Sequence, residues 1–271
     1  MKLIDSHIHF WDVANELNSW VKKTSLPQSI SPEDVDATGY VHIEAHAEHL
    51  SPLCELTWLR NTFATGNIRV IAFLDFTQPL QEFERRLLLL AAQPEIVGVR
   101  QVMASSRVSA YSPFQQTLPA DLPRKLAMLA ANNLIFDAQM YPDQYLPILD
   151  DIIASDVIMA MEHMALPIAT SAENMQTWQT LLKLVSQQPN CTLKLSGFDI
   201  VNHNNDITRV LDILFDVMPM ERLCWGSNYP VSNQNDYRCW QTRLSNYLGD
   251  PTIENTVFYQ TANRLYFNGT L

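Results

Sequence analysis

Two histidines near the start of the chain, His7 and His9, are the first residues whose type and spacing could do chemistry. Side chains alternate between the two faces of an extended strand, so residues two apart point to the same side. Two imidazoles on one side can bind a metal ion or hold a substrate oxygen. A bare His-x-His pair is weak evidence, because surface or hydrogen-bonded histidines also occur at this spacing. Its companions elsewhere in the chain decide how to interpret it.

Polar residues stand at the ends of the short apolar runs that follow along the chain. These residues are, in chain order, Asp5, Ser6, His7 and His9; Glu44 and His46; Asp75; Arg100; Asp137, Gln139 and Tyr141; Glu162 and His163; Lys194 and Ser196; and Ser227 and Asn228. Loops that were merely solvated would not need polar side chains at this point of every run. We therefore expect these side chains to meet at one end of the fold.

The elements that would position them alternate regularly, with eight β-branched or apolar runs and eight segments of helical period. The runs begin near Lys2, Val41, Arg69, Glu95, Leu134, Asp156, Cys191 and Arg222. The predicted helices are 51–63, 79–92, 121–131, 143–154, 172–187, 206–217, 236–248 and 253–267. Eight of each predict a closed α/β barrel, the (β/α)8 TIM barrel, as a single domain over residues 1–271. In such barrels the active site lies at the C-terminal ends of the strands.

An open, doubly wound sheet is the alternative architecture. That fold usually places a Gly-rich phosphate loop after a strand, whereas this chain has seven glycines and no such loop. No Gly/Ser linker, repeat or shift in composition divides the chain. The pattern therefore favours the closed barrel.

Composition and charge exclude several classes of protein. With 271 residues, 47% hydrophobic and 17% charged, the chain is globular rather than disordered, collagen-like or coiled-coil. A formal charge of −11 repels nucleic acid and anionic membrane surfaces, so neither is an expected partner.

The cysteines and the lengths of the apolar runs indicate the cellular compartment. The four cysteines form no Cys-x-x-Cys pair and indicate free thiols. No signal-peptide pattern opens the chain, and no apolar run approaches the roughly 18 residues that span a bilayer. These features predict a cytoplasmic protein that acts on a small molecule. The oligomeric state stays open, and a homo-oligomer is compatible with the sequence.

Seven segments, taken in order, carry a resemblance that runs nearly end to end. They are residues 4–12 (IDSHIHFWD), 97–100 (VGVR), 136–137 (FD), 162–167 (EHMALP), 193–197 (LKLSG), 225–231 (WGSNYPV) and 263–266 (NRLY). The chain resembles the amidohydrolase superfamily, in particular the amidohydrolase-related branch that includes sugar-acid lactonases and pyrone-dicarboxylate lactonase. The resemblance implies a (β/α)8 barrel and hydrolysis, often of a lactone, with His7, His9 and His163 lining the site.

One position departs from that pattern. Lactonase-type members usually end strand eight in Gly-Ser-Asp-Trp-Pro, where the aspartate takes a proton from the attacking water and can ligate a metal; here the matching residue is Asn228. A carboxamide offers N–H donors and a weak acceptor oxygen, and it cannot collect a proton at neutral pH. Asn variants of the motif occur in related subfamilies, so the departure leaves the hydrolytic role of this position open.

The metal is open for the same reason. Catalytic zinc takes three protein ligands and keeps an open position, and His7, His9 and His163 could supply three nitrogens. Without the fourth, anionic ligand the affinity falls, and some members of this branch resemble metal-independent enzymes. The sequence is compatible with one divalent metal such as zinc and with none.

Five further residues are candidates for substrate binding. Arg100 is either a structural ion-pair member or a clamp on a substrate carboxylate or carbonyl, and the clamp is favoured. Glu44 or His46 could replace the missing base, or serve as hydrogen-bonded supports. Asp137 and Tyr141 follow strand five, where Tyr141 could donate to a developing oxyanion or pack a loop.

Two further features concern the lumen and the first loop. Lys194, on the same strand face as Ser196, is either a base with a shifted pKa or a salt-bridge partner, and the salt bridge is favoured. The Pro-containing stretch 25–32 predicts a long loop after the first strand, which suggests a lid over the site. Phe10, Trp11 and Trp20 are lid or pocket wall, or they pack in the core.

Taken together, the sequence predicts a small-molecule hydrolase that opens a lactone or cyclic ester of a sugar acid or dicarboxylic acid. The expected catalytic residues are His7, His9, His163, Arg100 and Asn228, and the expected substrate-binding residues are Arg100, Glu44, His46, Asp137 and Tyr141. Two alternatives remain: a ligand-binding homologue without turnover, and a decarboxylase, since related barrels use a His-x-His site for that reaction.

Overall fold

Eight parallel strands form one sheet in chain order, and the predicted (β/α)8 barrel is confirmed. The computed structural model describes residues 2–47, 49–63, 67–168, 171–200, 207–232 and 236–271. The strands are β1 (Ile4–Ile8), β2 (Gly39–Ile43), β3 (Ile68–Phe73), β4 (Ile96–Val102), β5 (Ile135–Gln139), β6 (Met159–Met161), β7 (Cys191–Leu195) and β8 (Leu223–Trp225). Each strand begins close to its predicted start, and β6 differs most, since it begins at Met159 rather than near Asp156.

The sheet closes through a short seam between β1 and β8. Ile8 pairs with Tyr229 in an isolated parallel bridge, and the amide of His9 donates to the Tyr229 carbonyl at 2.9 Å. The amide of Asn228 donates to the His7 carbonyl at 2.8 Å. Side chains add to the seam, because Asp5 accepts the Ser227 amide at 2.9 Å. A closed sheet replaces the open, doubly wound alternative.

Helices surround the barrel and follow the strands. They are α1 (Pro52–Thr62), α2 (Leu80–Ala91), α3 (Leu122–Ala131), α4 (Pro142–Tyr145), α5 (Leu149–Ala154), α6 (Ala172–Val185), α7 (Ile207–Val217), α8 (Cys239–Leu248), α9 (Pro251–Asn255) and α10 (Thr261–Phe267). The predicted helix 143–154 is split between α4 and α5 by a 3-10 turn that contains Pro147, whose ring nitrogen cannot donate to the helical ladder. The predicted helix 253–267 contains a π-helical segment, Thr256–Gln260, between α9 and α10. Residue 206, where the seventh helix was predicted to begin, lies outside the described residues.

Part of the barrel core is an apolar cluster. Tyr266 and Phe267 of α10 pack against one buried cluster of strand residues (Ile4, Val41, Ile43, Ile71, Ile135, Ala160 and Cys224). Strands covered on both faces are apolar almost throughout, so polar side chains inside such a barrel call for a specific reason. Within the described part of the chain, no helix is long and apolar enough to cross a membrane.

Candidate functional site

A cavity of about 900 Å³ opens at the C-terminal ends of the strands. Its polar floor brings together six side chains from the ends of β1, β2, β4, β6 and β8: His9, Glu44, His46, Arg100, His163 and Asn228. All six were singled out in the sequence. The closed barrel explains their convergence, because the strand ends share one face.

His7 lies beneath this floor and is completely buried. Its ring centroid is 4.8 Å from that of His163 and 5.3 Å from that of His9, so the three histidines are neighbours. Neither ring nitrogen of His7 has a hydrogen-bond partner among the residues that the structure describes. Burial, with Lys194 next in importance, holds the pKa of His7 well below its usual value. The ring is therefore neutral and keeps a lone pair free.

Three buried groups have ligand atoms close enough to share one ion. Nitrogens of His7 and His163 and a carboxylate oxygen of Glu162 lie within 4.8 Å of one another. Two imidazoles and one carboxylate are a donor set that zinc takes in catalytic sites, and the unpartnered nitrogens of His7 fit such a group. The predicted ligand His9 lies outside this trio, with its Nδ1 3.0 Å from the Ile43 carbonyl, and Glu162, which was not predicted as a ligand, is the third member.

Arg100 forms a buried ion pair with two carboxylates. Its Nε and Nη2 donate to Oε1 of Glu44 at 3.0 and 2.7 Å, and its Nη1 donates to both oxygens of Glu162 at 3.1 and 3.2 Å. Nη2 also contacts the Glu44 carbonyl at 3.3 Å. These bonds occupy the donor fork of the guanidinium, so little is left for a substrate. The favoured prediction of a substrate clamp is corrected to the ion-pair alternative.

Glu55, on α1, is a buried acid that the sequence reasoning missed. Its Oε1 accepts the Ala45 amide at 2.9 Å and lies 3.3 Å from Nε2 of His42, and its Oε2 lies 3.3 Å from Nδ1 of His46. Burial alone would raise the pKa of Glu55, but the two histidines outweigh it and lower that pKa to about 2. Glu55 therefore holds His46 at the cavity wall. The sequence did offer one indication of this role, because Glu55 is a lone acid beside the buried Leu56 and Leu59 of α1.

Replacing Glu55 by glutamine should make the free energy of unfolding depend less on pH between pH 4.5 and pH 2. The pKa of this carboxyl is about 2 in the folded chain and 4.5 ordinarily, so its contribution is complete above pH 4.5 and is lost as the pH falls towards 2. The gap in free energy of unfolding between wild type and Glu55→Gln should shrink by about 3 kcal/mol over that window. Denaturant titrations at pH 6, 4.5, 3.5 and 2.5 measure it. Glu173→Gln, an exposed acid on α6, should track the wild type throughout; a constant gap for Glu55→Gln would contradict the assignment.

Two predicted binding residues do not reach the cavity. The hydroxyl of Tyr141 is turned away, donating to the Tyr111 carbonyl at 2.6 Å and contacting Oγ of Ser109 at 2.8 Å. The expected oxyanion donor is therefore corrected to a loop-packing residue, and Tyr111, which the sequence reasoning missed, lines the cavity instead. Asp137 is completely buried and paired with Lys194, as predicted for that lysine. Burial raises the pKa of the Asp137 carboxyl, and Lys194 opposes the rise.

Asn228 is oriented by a chain of hydrogen bonds. The hydroxyl of Ser232 donates to Asp199, so its oxygen must accept, and the side-chain nitrogen of Asn228 donates to it at 2.9 Å. The carboxamide nitrogen is therefore turned towards Ser232, and the oxygen is available as an acceptor at the cavity. The left-handed backbone of Asn228, with φ of 53°, suits asparagine better than most residues. Asp199 and Ser232 carried no signal in the sequence.

His163 is carried by an unusual stretch of backbone. Residues His163, Met164, Ala165 and Leu166 all have positive φ, between 49° and 59°. Nδ1 of His163 lies 2.9 Å from Oγ of Ser196, and its ring covers Gly197. Burial, followed by Arg100 and Lys194, lowers the pKa of His163 to about 3.

Adding a methyl group at Gly197 should displace His163. A Cβ there would lie 2.6 Å from Cγ of the ring, and φ is +60°. We expect Gly197→Ala to lower kcat for any substrate of this site at least about tenfold and to destabilise the fold by more than the roughly 1–2 kcal/mol of a left-handed residue. Gly249→Ala is the matched control, because Gly249 has the same φ with nothing within 4 Å. Equal changes in kcat and in stability for the two variants would show that the His163 ring can move aside at no cost in free energy.

The first βα loop supplies the outer wall of the cavity. Trp11, Ser19, Trp20, Lys22 and Lys23 line it. Two lid predictions need correction. Residues 25–32 do not line the cavity; 29 and 30 pair with 11 and 12 in a small hairpin. Phe10 packs instead against Tyr40 and Phe63 in the core.

Comparison with known proteins agrees with this architecture. A family model described as amidohydrolase matches residues 4–267. The chain belongs to the amidohydrolase family. This amidohydrolase is 24% identical over 270 residues to an L-fucono-1,5-lactonase from Burkholderia ambifaria, covering 88% of this chain and 84% of that one.

Solved structures share the fold of this amidohydrolase. An amidohydrolase from Burkholderia multivorans with bound zinc has a TM-score of 0.75 at 20% identity, covering 98% of this chain and 99% of that chain. A probable 2-pyrone-4,6-dicarboxylic acid hydrolase from Acinetobacter baumannii, with citric acid bound, has a TM-score of 0.73 at 16% identity, covering 98% and 100%.

Proposed function

We propose that this amidohydrolase opens a lactone or related cyclic ester of a sugar acid or dicarboxylic acid, by attack of water on the ring carbonyl. The observation that carries the proposal is the convergence of His7, His9, His163 and Asn228 at one end of a closed barrel. The lactonase and pyrone-dicarboxylic acid hydrolase among its relatives support the reaction class. Lys22 and Lys23, at the cavity wall of a chain with net charge −11, favour a substrate that carries a carboxylate.

A divalent metal would fit beside these groups. His7, Glu162 and His163 are the residues that would hold it, and the Burkholderia multivorans structure with bound zinc supports a divalent metal. When bound, such an ion supplies Lewis-acid polarisation of the carbonyl and lowers the pKa of water. The remaining work of binding, orientation and proton transfer belongs to the side chains.

The proton of the attacking water needs an acceptor other than Asn228. The amide oxygen of Asn228 can orient a water molecule through a hydrogen bond, but it cannot keep the proton. Glu44 lines the same cavity, and both of its side-chain bonds to Arg100 use Oε1, which leaves Oε2 for a water. Burial raises the pKa of Glu44, although Arg100 opposes that rise. We assign Glu44 as the general base that replaces the strand-eight aspartate.

Replacing Glu44 by glutamine should lower kcat/KM for lactone hydrolysis at least about 100-fold, because the amide keeps an acceptor for Arg100 but accepts no proton. Asn228→Asp restores a carboxylate at strand eight, so the double variant should regain a large part of the loss. Asn228→Asp alone should bind zinc more tightly than the wild type. Rates against pH and bound zinc are measured for the four proteins together. A Glu44→Gln enzyme with wild-type rate would remove Glu44 as the base.

The function itself is tested with a lactone panel. Purified protein is assayed with L-fucono-1,5-lactone, other sugar-acid δ-lactones and 2-pyrone-4,6-dicarboxylate, by acid release, after chelator treatment and after addition of zinc. We expect hydrolysis well above the spontaneous rate for at least one of these compounds. Spontaneous rates throughout, in both metal states and with an alkyl-bearing δ-lactone as well, would reject lactone hydrolysis and favour a homologue that binds without turnover.

A further inference from the structure

The cavity has two chemically different kinds of lining. Besides the side chains of the polar floor, five apolar or aromatic side chains line the cavity, and we call them the apolar wall: Trp20, Val102, Tyr111, Ile200 and Val231. None of the five is fully buried, and Trp20 and Val231 are 38% and 37% exposed. Exposed apolar side chains gathered around a cavity indicate a surface that a ligand covers.

The apolar wall is built into the fold rather than loosely attached. Val102, Tyr111 and Ile200 pack on their inner side against a buried cluster of Ala104, Tyr141 and Leu166. The Trp20 ring lies edge to face with the buried Trp11, with ring centroids 5.6 Å apart. A ligand would therefore meet a preformed surface and would not have to order it.

Both indole N–H groups of these aromatic residues are already engaged. Nε1 of Trp20 donates to the Ala45 carbonyl at 2.7 Å, and Nε1 of Trp11 donates to the Pro27 carbonyl at 2.8 Å. The hydroxyl oxygen of Tyr111 accepts from Nε2 of Gln139 at 2.7 Å, and its O–H stays available as a donor. The wall thus offers ring and methyl surface, with few donors or acceptors for a ligand. A polyhydroxylated group placed there would lose hydration without replacement bonds, whereas an apolar group would gain from burial.

The size of the cavity points the same way. Its volume of about 900 Å³ lies near the upper end of the roughly 300–1,000 Å³ found for pockets that take drug-sized ligands. A single lactone ring over the floor would leave the wall uncovered. The cavity therefore has room for a substrate that extends beyond the ring.

We propose that the cyclic ester this site hydrolyses carries an apolar arm, aromatic or alkyl, that lies against the apolar wall while the ring carbonyl sits over the polar floor. This inference rests on the proposed function and narrows its substrate class. A bare sugar-acid or dicarboxylic acid ring is then a poorer substrate than one that bears such an arm.

Two homologous lactones test the arm. δ-Decalactone and δ-valerolactone share the ring and differ only in the alkyl arm, so kcat/KM should favour δ-decalactone at least about tenfold. Trp20→Ala should reduce that preference at least about fivefold, because it should lower kcat/KM for δ-decalactone more than for δ-valerolactone. Leu88→Ala, which removes an exposed leucine on α2 away from the cavity, is the control and should keep the wild-type preference. Equal kcat/KM for the two lactones, or a preference that survives Trp20→Ala, would overturn the inference.

A binding measurement separates failure of the arm from failure of the reaction. Calorimetry with the open-chain acids, 5-hydroxydecanoate and 5-hydroxypentanoate, reports affinity without turnover. Suppose that no lactone is hydrolysed, that 5-hydroxydecanoate binds at least about tenfold more tightly than 5-hydroxypentanoate, and that Trp20→Ala removes the difference. The inference of an apolar arm is then supported, and the proposed hydrolysis is rejected. If sugar-acid lactones are hydrolysed and the two acids bind equally, the hydrolysis stands and the arm is rejected.

Discussion

Replacing Arg100 by glutamine should lower the free energy of unfolding by about 3–5 kcal/mol, the usual cost of leaving buried charges without their partner. The guanidinium is 6% exposed and holds both Glu44 and Glu162, the second completely buried. Burial alone would lower the pKa of Arg100, but these two carboxylates outweigh it and raise the pKa. Without the cation, each carboxylate must either stay ionised with poor solvation or take up a proton. Denaturant unfolding at pH 7 measures the loss.

Two comparisons make this result specific to the buried pair. Arg60→Gln removes an exposed arginine that bonds Glu95 at 2.9 and 2.5 Å, and it should cost only about 0–1 kcal/mol. Adding Glu162→Gln to Arg100→Gln removes one of the orphaned charges and should recover part of the loss. If Arg100→Gln costs no more than Arg60→Gln, the carboxylates find other partners and the ion pair is not what stabilises the floor.

Replacing His163 by asparagine should lower kcat/KM for lactone hydrolysis by about 10⁴-fold, because the imidazole contacts the cavity and belongs to the ligand trio. Asparagine is chosen because His163 has φ of 51°, and asparagine tolerates the left-handed region better than alanine or glutamine. The fold should therefore survive, and the loss should appear in the rate. Steady-state kinetics and thermal unfolding are measured together.

Zinc affinity supplies a second readout for the same variant. His163→Asn removes one nitrogen of the trio, so competition with a chelating dye should show weaker binding than in the wild type. His42→Asn is the control, because His42 is buried beside Glu55 and does not line the cavity; it should lose stability but keep the rate of the folded enzyme. A rate within tenfold of wild type for His163→Asn would remove this histidine from the chemistry.

The barrel could be predicted because its signals are local in the sequence. Each apolar run ends in polar residues, and the two-residue period places Lys194 in the lumen, where it pairs with Asp137. The roles of Arg100 and Tyr141 could not be obtained this way. Whether the donors of Arg100 are free depends on how far Glu44 and Glu162 reach across the barrel from β2 and β6, and no spacing along the chain encodes that distance.

Other parts of the site could not be predicted because helices and loops position them. Glu55 reaches the strand end from α1 and contacts His46, which only the packing angle of the helix determines. Tyr111 and Tyr141 have the same chemistry, and their difference lies in which one a loop turns towards the cavity. Side-chain direction in such loops follows from tertiary contacts, which periodicity does not report.

The seam between β1 and β8 also has a consequence for how the protein is made. Strand β1 is synthesised first, and its free edge carries His7 and His9 with no neighbour on one side until residues 223–229 have left the ribosome. The amides of His9 and Asn228 then close the sheet and join the two halves of the cavity in one event. A nascent chain that stops before β8 has an open sheet edge exposed to chaperones and to other chains, and no assembled site. The site is thus assembled only after β8 has been synthesised and has docked on β1.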